Sequence, residues 1–296
     1  MFLARGLRRA QPPSEKDGGA SLKTPDARQW GMNRDALRVL TYNVRRDVAS
    51  DGEFDWAARR DAVAGTLRFH RPDVVGLQEP LEHQFQDVRE ALPEYEWVGK
   101  SRSREEGAGE FCPVGYRRNR FECVGADTVW LSQTPDEPGS TGWDGAYPRI
   151  ATWARLTDRR SGGSLLALNT HLDHEGPQAR REGARVIRDR VDSLREGAPA
   201  VVVGDLNCLA GEDPHRVLAG ADDGDSPLTD AREASAHPPH GPSTTRTNFE
   251  SLLPDRQIDH VFVADCDVEG YGVAADVVDD GWFPSDHLPV VVDLEL

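Results

Sequence analysis

Val201-Val202-Val203-Gly204-Asp205-Leu206-Asn207 decides how this chain is read. Three consecutive β-branched residues predict a strand buried on both faces, as in layered α/β folds. Gly204 lets the backbone approach a neighbour closely. Asp205 and Asn207 emerge at the C-terminal edge, and strand alternation predicts that they share one side. A carboxylate beside a carboxamide can grip a water or the shell of a hard cation. Gly-Asp-x-Asn is equally ordinary turn chemistry, so the remaining chain must choose between the two.

Working outward, the same layout recurs. Leu37 to Asn43 alternates as a strand and ends in a polar residue, and Asp73 to Glu79 is a buried strand ending in an acid. Helical spacing runs between them from Phe54 to Phe69 and is closed by Pro72. A second helix is expected over Leu81 to Leu92, and a third over Gln178 to Arg195 with Ala179, Val186, Ile187, Val191 and Leu194 on one stripe. Short strands are expected at Tyr95 to Val98, Cys112 to Arg117, Phe121 to Val124, Thr128 to Leu131, Ile150 to Leu156 and Leu165 to Asn169. The later ones follow at Ile258 to Val263, Tyr271 to Ala275 and Val290 to Leu294. Strand and helix alternate, which predicts an α/β fold with antiparallel pairing in the middle. Pro135 to Pro148 is a long loop of the kind that is usually functional. Residues 211–247 show little pattern beyond a short helix near Pro214 to Leu218. Residues 1–35, rich in Pro, Gly, Ser and charge, are expected to be a disordered tail, with one domain over 36–296.

The chain has 296 residues, a net charge of −16 and 38% hydrophobic residues. Its basic residues are nearly all Arg, with Lys only at Lys16, Lys23 and Lys100. An Asp-rich, Lys-poor composition is expected of a protein working in concentrated salt, where screening removes self-repulsion. It also argues against a broad basic footprint for nucleic acid. Cys112, Cys123, Cys208 and Cys266 show no paired or metal-finger spacing, which fits thiols in a reducing cytoplasm. No apolar run reaches membrane-spanning length. The expectation is a cytoplasmic monomer without a membrane partner.

Polar residues gather where strands end: Asn43; Glu79; Asn169, His171 and Asp173; Asp205 and Asn207; Asp259 and His260; Asp286 and His287. Singly each is a cap or turn residue, and His260 and His174 read as packing or surface histidines. If the strand ends converge on one rim, they form an acidic, oxygen-rich pocket with histidines. Such a pocket departs from a zinc site of the N/S type and suits a hard divalent cation, Mg2+ or Mn2+. A cation with nearby His–Asp pairs fits hydrolytic attack of water on a phosphate ester.

Leu40-Thr41-Tyr42-Asn43, Leu77-Gln78-Glu79, Asn169-Thr170-His171, Gly204-Asp205-Leu206-Asn207, Ile258-Asp259-His260 and Ser285-Asp286-His287 occur in this order. Together they resemble the endonuclease/exonuclease/phosphatase superfamily, the deoxyribonuclease-I-like metal-dependent phosphoesterases, over roughly residues 37–296. The strings Gly109-Glu110-Phe111, Trp130-Leu131-Ser132 and Tyr147-Pro148-Arg149-Ile150-Ala151-Thr152-Trp153 are similar to a poorly characterised prokaryotic branch. The resemblance implies a four-layer αββα sandwich, two mixed β-sheets face to face with helices outside. It implies Glu79 as principal metal ligand with Asn43 and Asp286 beside it. Asp205 would orient or deprotonate water, with Asn207 holding it. His287, paired with Asp259, would contact the scissile phosphate, and His171 a non-bridging oxygen or the leaving group. Arg149 and Asn169 are the expected substrate contacts, Arg149 having a surface ion pair as its alternative. Abasic-site repair enzymes carry Tyr where this chain has His171, which lowers the case for DNA repair. The expected activity is phosphodiester hydrolysis by in-line attack of water. Its alternatives are a nuclease on DNA or RNA and a catalytically silent binding relative.

Overall fold

A computed structural model describes residues 36–221, 225–278 and 280–296, so the expected tail over 1–35 lies outside the described residues. The first half of the fold contains β1 (Leu37–Asn43), α1 (Trp56–His70), β2 (Val74–Gln78), α2 (Glu82–Ala91), β3 (Tyr95–Val98), β4 (Val114–Arg117), β5 (Phe121–Trp130) and β6 (Ile150–Asp158). Then follow β7 (Ser164–His171), α3 (Pro177–Arg195), β8 (Ala200–Asp205), α4 (Asp213–Leu218), β9 (Thr229–Asp230), α5 (Ala231–Ala234), β10 (Asp259–Ala264), β11 (Asp267–Val273) and β12 (Val290–Glu295). They form two six-stranded sheets, ordered β11-β12-β1-β2-β4-β3 and β5-β6-β7-β8-β10-β9. Each is mixed. β1–β2 and β7–β8 are parallel pairs joined through α1 and α3, and the other neighbours run antiparallel.

Period-two alternation sorts the side chains into layers. Leu37, Val39, Val74, Leu165, Ala167, Val201, Val203, Val261 and Val263 form the core between the sheets. Leu40, Tyr42, Val75 and Leu77 face the other way, onto Trp56, Val63 and Leu67 of α1 and Val88 of α2. Leu166, Leu168, Val202 and Phe262 likewise meet Ile187 and Val191 of α3 and Val217 and Leu218 of α4. The result is the four-layer αββα sandwich. Between the sheets, a Cβ on Gly76 would lie 2.4 Å from Val203 Cγ2. At Gly204 it would lie 2.2 Å from the Thr170 carbonyl oxygen, which is the close approach expected of that glycine.

Three local expectations are corrected. The strands expected at Phe121 to Val124 and Thr128 to Leu131 are one strand, β5, whose register shifts between Cys123 and Gly125. Gly125-Ala126-Asp127 carries little strand preference of its own, and pairing with β6 overrides it. β11 begins at Asp267 rather than Tyr271, with a bulge between Val268 and Gly270 that breaks the alternation. β9 and α5 lie inside the stretch 211–247 and are too short to carry a periodic signal. Among the described residues no helix is long and apolar enough to cross a membrane.

Candidate active site

The inner rows of the strands stay in phase as they pass from apolar to polar. Thr41 and Asn43 of β1, Gln78 of β2, Asn169 and His171 of β7, Asp205 of β8 and Asp259 of β10 therefore reach one end of the space between the sheets. The first polar layer is structural. Asn169 donates to the carbonyl oxygens of Leu77 (2.7 Å) and Pro113 (2.8 Å) and accepts from Gln78 Nε2 (2.6 Å), which also donates to Thr41 Oγ1 (2.9 Å). Asn169 is fully buried, one step of the pleat below His171, so it ties the sheets together. The expectation of Asn169 as a substrate contact is corrected on this ground.

The next layer opens to a cleft. Asp205 Oδ2 accepts from Asn43 Nδ2 (3.1 Å), and Asp205 Oδ1 accepts from the Asn207 backbone N–H (2.9 Å). Asn43 Nδ2 also donates to Glu79 Oε1 (3.0 Å), while the Arg46 N–H donates to Glu79 Oε2 (3.0 Å). With its amide on two carboxylates, Asn43 turns its oxygen toward the Arg45 N–H (3.0 Å). Asn43 thereby positions Glu79 and Asp205, and its oxygen, accepting that one bond, keeps a second lone pair. Asn207 lies one turn past β8, so strand alternation does not place it. Its left-handed backbone (φ 49) swings the amide to the Leu172 carbonyl (3.0 Å) and His171 Nε2 (3.0 Å). Glu79 (φ 73) and Arg45 (φ 57) share this uncommon conformation, and such backbone outliers cluster where side chains must be aimed.

His287 Nδ1 donates to Asp259 Oδ2 (2.8 Å) and its Nε2 lies 3.6 Å from Asp205 Oδ2. His171 Nε2 lies 3.5 Å from the same oxygen. Burial, with Asp259 opposite, pushes the Asp205 carboxyl up to about 7, against the pull of His287, the Asn207 N–H and Asn43. For His287 burial alone would lower the pKa, but Asp259, Asp205 and Asp286 outweigh it and raise it to about 9. His171 goes the other way: burial first, then Arg149 and His287, hold it well below the ordinary histidine value, so it is neutral. A carboxyl titrating near neutrality beside two imidazoles of opposite tendency is an arrangement for moving a proton.

The oxygen-rich donors fit a hard divalent cation. Each Glu79 oxygen carries a single hydrogen bond and keeps a lone pair, and Asp286 Oδ1 is buried without a partner. Asp286 Oδ2 pairs with Arg246 (3.1 Å) and faces Arg45 (3.8 Å). Ligand atoms of Asp205, Asp259 and His287 also lie within 4.8 Å of one another. This second set shares no member with Asn43, Glu79 and Asp286.

Six arginines wall the cleft, Arg45, Arg46, Arg102, Arg149, Arg246 and Arg256, against three carboxylates, Glu79, Glu110 and Asp205; its volume is about 280 Å³. Arg149 is buried, not a surface ion pair: Nε donates to Asp173 (3.3 Å) and Nη2 to His174 Nδ1 (2.8 Å). Glu110 accepts from Arg46 (3.2 Å) and Arg102 (2.7 Å), and Tyr147 stacks on His174 beneath Arg102. The sequence reading singled out only Arg149 of these arginines as a contact. The pair Arg45-Arg46, two residues beyond Asn43, is the signal that could have found more. Arg59 of α1, fully buried, donates to the carbonyl oxygens of Val44 (2.8 Å), Arg45 (3.1 Å) and Pro284 (3.0 Å). It pins the loops that carry Arg45 and Asp286, and nothing in the pattern of α1 announces it.

Comparison with known proteins agrees with this geometry. The sequence model for the Endonuclease/Exonuclease/phosphatase family matches residues 40–287. A crystal structure of an endonuclease/exonuclease/phosphatase from Bacteroides vulgatus superposes with a TM-score of 0.82 at 35% identity, covering 88% of this chain and 99% of that one. A mannosyl-6-phosphatase of Bacteroides thetaiotaomicron superposes with a TM-score of 0.81 at 33% identity, covering 88% and 100%. The CCR4-Not complex 3'-5'-exoribonuclease subunit Ccr4 of Emericella nidulans is 26% identical over 181 residues, half of this chain but only 27% of that protein's length.

Proposed function

Because the chain belongs to the endonuclease/exonuclease/phosphatase family, whose members are phosphoester hydrolases, we propose that it hydrolyses a compact ester bearing a terminal phosphate, by in-line attack of water. The observation that carries this reading is the wall of six arginines around a cleft of about 280 Å³ in a chain of net charge −16. A phosphomonoester dianion neutralises such a wall better than a singly charged diester does, and arginine forks match its oxygens. The likeness to the mannosyl-6-phosphatase over nearly the whole domain supports the same substrate class.

Family enzymes use divalent metals, and here Glu79, with Asp286, would hold Mg2+ or Mn2+, which would neutralise charge developing on the phosphoryl oxygens. The chain's own groups do the rest. Asp205 takes a proton from the attacking water, a task suited to a carboxyl titrating near neutrality. Asn207 and neutral His171, linked to one another, hold that water beside Asp205. His287, fixed by Asp259 and touching Arg246, presents its imidazole to the phosphoryl oxygens, and Arg149 and Arg246 grip them from the wall.

A second reading, cleavage of a terminal phosphodiester in single-stranded nucleic acid, is favoured by the similarity to the exoribonuclease subunit. One panel tests both readings: p-nitrophenyl phosphate, hexose 6-phosphates, bis-p-nitrophenyl phosphate, single-stranded DNA and RNA, each with Mg2+ and with Mn2+. The proposal expects kcat/KM at least tenfold higher on the monoesters than on any diester. Faster turnover of RNA or DNA would install the second reading. No metal-dependent turnover of any ester would return the chain to the silent-relative alternative.

A further inference from the structure

On the opposite face of the same sheet lies a second, closed cluster, which the proposed hydrolysis does not use. His260 follows Asp259 on β10, so alternation turns it away from the cleft toward α4. Asp230 of β9 pairs in register with Phe262, two residues along from His260 and on the same face. His215 comes down from α4 and donates Nε2 to Asp230 Oδ2 at 2.6 Å. One ligand atom from each of His215, Asp230 and His260 lies within 4.8 Å of the others. All three residues are at most 4% exposed and belong to the outer layer that holds Phe262, Leu218 and Leu228, with the His215 ring against Phe262.

The decisive atom is His260 Nδ1. His260 Nε2 lies 3.0 Å from the Cys208 carbonyl oxygen, an acceptor only, so Nε2 carries the proton and Nδ1 keeps a lone pair. That Nδ1 is buried and has no hydrogen-bond partner. An orphaned acceptor in an apolar core is costly, and native cores rarely keep one without a use. A backbone carbonyl on the far nitrogen is the usual device for orienting an imidazole that coordinates a metal. His260 was expected to be a packing histidine. A packing ring would not need His215 and Asp230 beside it.

We propose that His215, Asp230 and His260 form a second metal site that holds a borderline divalent ion, Zn2+ in the first instance, between α4 and the outer face of the sheet. The two sites would differ in chemistry as well as in place. Oxygen donors in the cleft suit Mg2+ or Mn2+, whereas two imidazoles and one carboxylate favour Zn2+. Seating the ion widens the His215–Asp230 contact from 2.6 Å to about 3.3 Å, the separation of two atoms each bonded at ~2.0 Å to a tetrahedral centre. It releases the proton held between them, so affinity rises with pH. Because α4 and β9 are short elements, of six and two residues, the ion would pin them to the sheet.

The test is metal binding to the full chain after chelation, with ZnCl2 as the probe. Wild type should take up one equivalent of Zn2+ that tenfold excess Mg2+ does not displace. That equivalent should persist in Glu79→Gln and disappear in His260→Phe and in Asp230→Asn. Crystals of wild type soaked in stoichiometric ZnCl2 should show anomalous density at the zinc edge among the three side chains, which reads the site even where a variant fails to fold. Anomalous density confined to the cleft, or a His260→Phe protein that keeps the Mg2+-resistant equivalent, overturns the proposal.

Discussion

Asp259 and His260 are neighbours in the chain and stand on opposite faces of β10, each at the centre of a His–Asp cluster. Asp259, fully buried, stands behind Asp205 and His287, which line the cleft walled by arginine. His260, with His215 and Asp230, faces an apolar layer beneath α4. The residue types are nearly the same, and the surroundings set what they can do. In the cleft, burial with Asp259 opposite raises Asp205 to about 7, while facing carboxylates outweigh burial and raise His287 to about 9. Behind the sheet, burial lowers His260 more than Asp230 and Asp259 raise it, and leaves a neutral ring with a free lone pair. One cluster is built to exchange protons, the other to keep a nitrogen unprotonated.

The strongest way to break this contrast is Asp205→Asn. A buried carboxyl raised to about 7 costs stability at neutral pH when it ionises, and the amide removes that cost. Its oxygen can still accept from the Asn207 N–H, although the amide nitrogen then meets Asn43 Nδ2. Melting should therefore stay within about 5 °C of wild type, since ~1 kcal/mol is the scale of one exchanged hydrogen bond. General-base assistance is worth ~10²–10⁴, so kcat should fall at least a hundredfold with KM little changed. A variant that is markedly less stable yet normally active per folded molecule would reduce Asp205 to a turn residue. The cleft would then lose its distinction from the cluster behind it.

How far the sequence discloses each face differs for a physical reason. β8 and its terminal Asp205 are visible because three β-branched residues and a glycine have few alternatives. The convergence of Asn43, Asp205, Asp259 and His171 follows from strands that keep alternating past the apolar core. Asn207 reaches the same side as Asp205, as expected, but through a left-handed turn rather than the pleat. Asn169 is misassigned because alternation gives the face of a residue but not its depth. Arg46, Arg102 and Arg246 come from loops, where no period marks an inward side chain. His215 and Asp230 sit in or beside two-residue to six-residue elements, and their meeting with His260 exists only in three dimensions.

Arg149→Lys is the next largest test and should affect the cleft alone. Arg149 spans Asp173, His174 and the cleft with one planar fork, which an ammonium cannot do. A hydrogen bond to a charged group is worth ~1.5–3 kcal/mol, so kcat/KM on a phosphomonoester should drop by roughly ten- to a hundredfold. Zinc uptake behind the sheet should be unchanged. Wild-type turnover in the lysine variant would show that Arg149 serves Asp173 and not the substrate.

The smallest effect, and the sharpest for the contrast, is the pH dependence of melting in the chelated protein. Asp205 is raised from 3.8 to about 7, so the folded state binds the extra proton across that window and stability falls as pH rises through it. His287 is raised from 6.5 to about 9; its contribution is present below 6.5 and is lost as pH climbs toward 9. The cleft cluster therefore weakens the fold toward alkali. His260 is lowered from 6.5 by burial, so below 6.5 the unfolded chain takes the proton first and stability falls with pH. Asp230 is lowered from 3.8 by its bond to His215, with His260 and the Arg232 N–H adding, despite the opposing effect of burial. Its contribution is present above 3.8 and is lost as pH falls through the folded value. The cluster behind the sheet therefore weakens the fold toward acid. His260→Phe should flatten the decline in Tm between pH 6.5 and 5 by a few degrees, each kcal/mol being worth about 2–4 °C in a chain of this class. Asp205→Asn should instead flatten the decline contributed between about pH 4 and 7, and leave the His287 decline between pH 6.5 and about 9 in place. If His260→Phe leaves the acid limb as steep as in wild type, the ring behind the sheet is not held neutral by its surroundings. The two faces of β10 would then not be tuned in opposite senses.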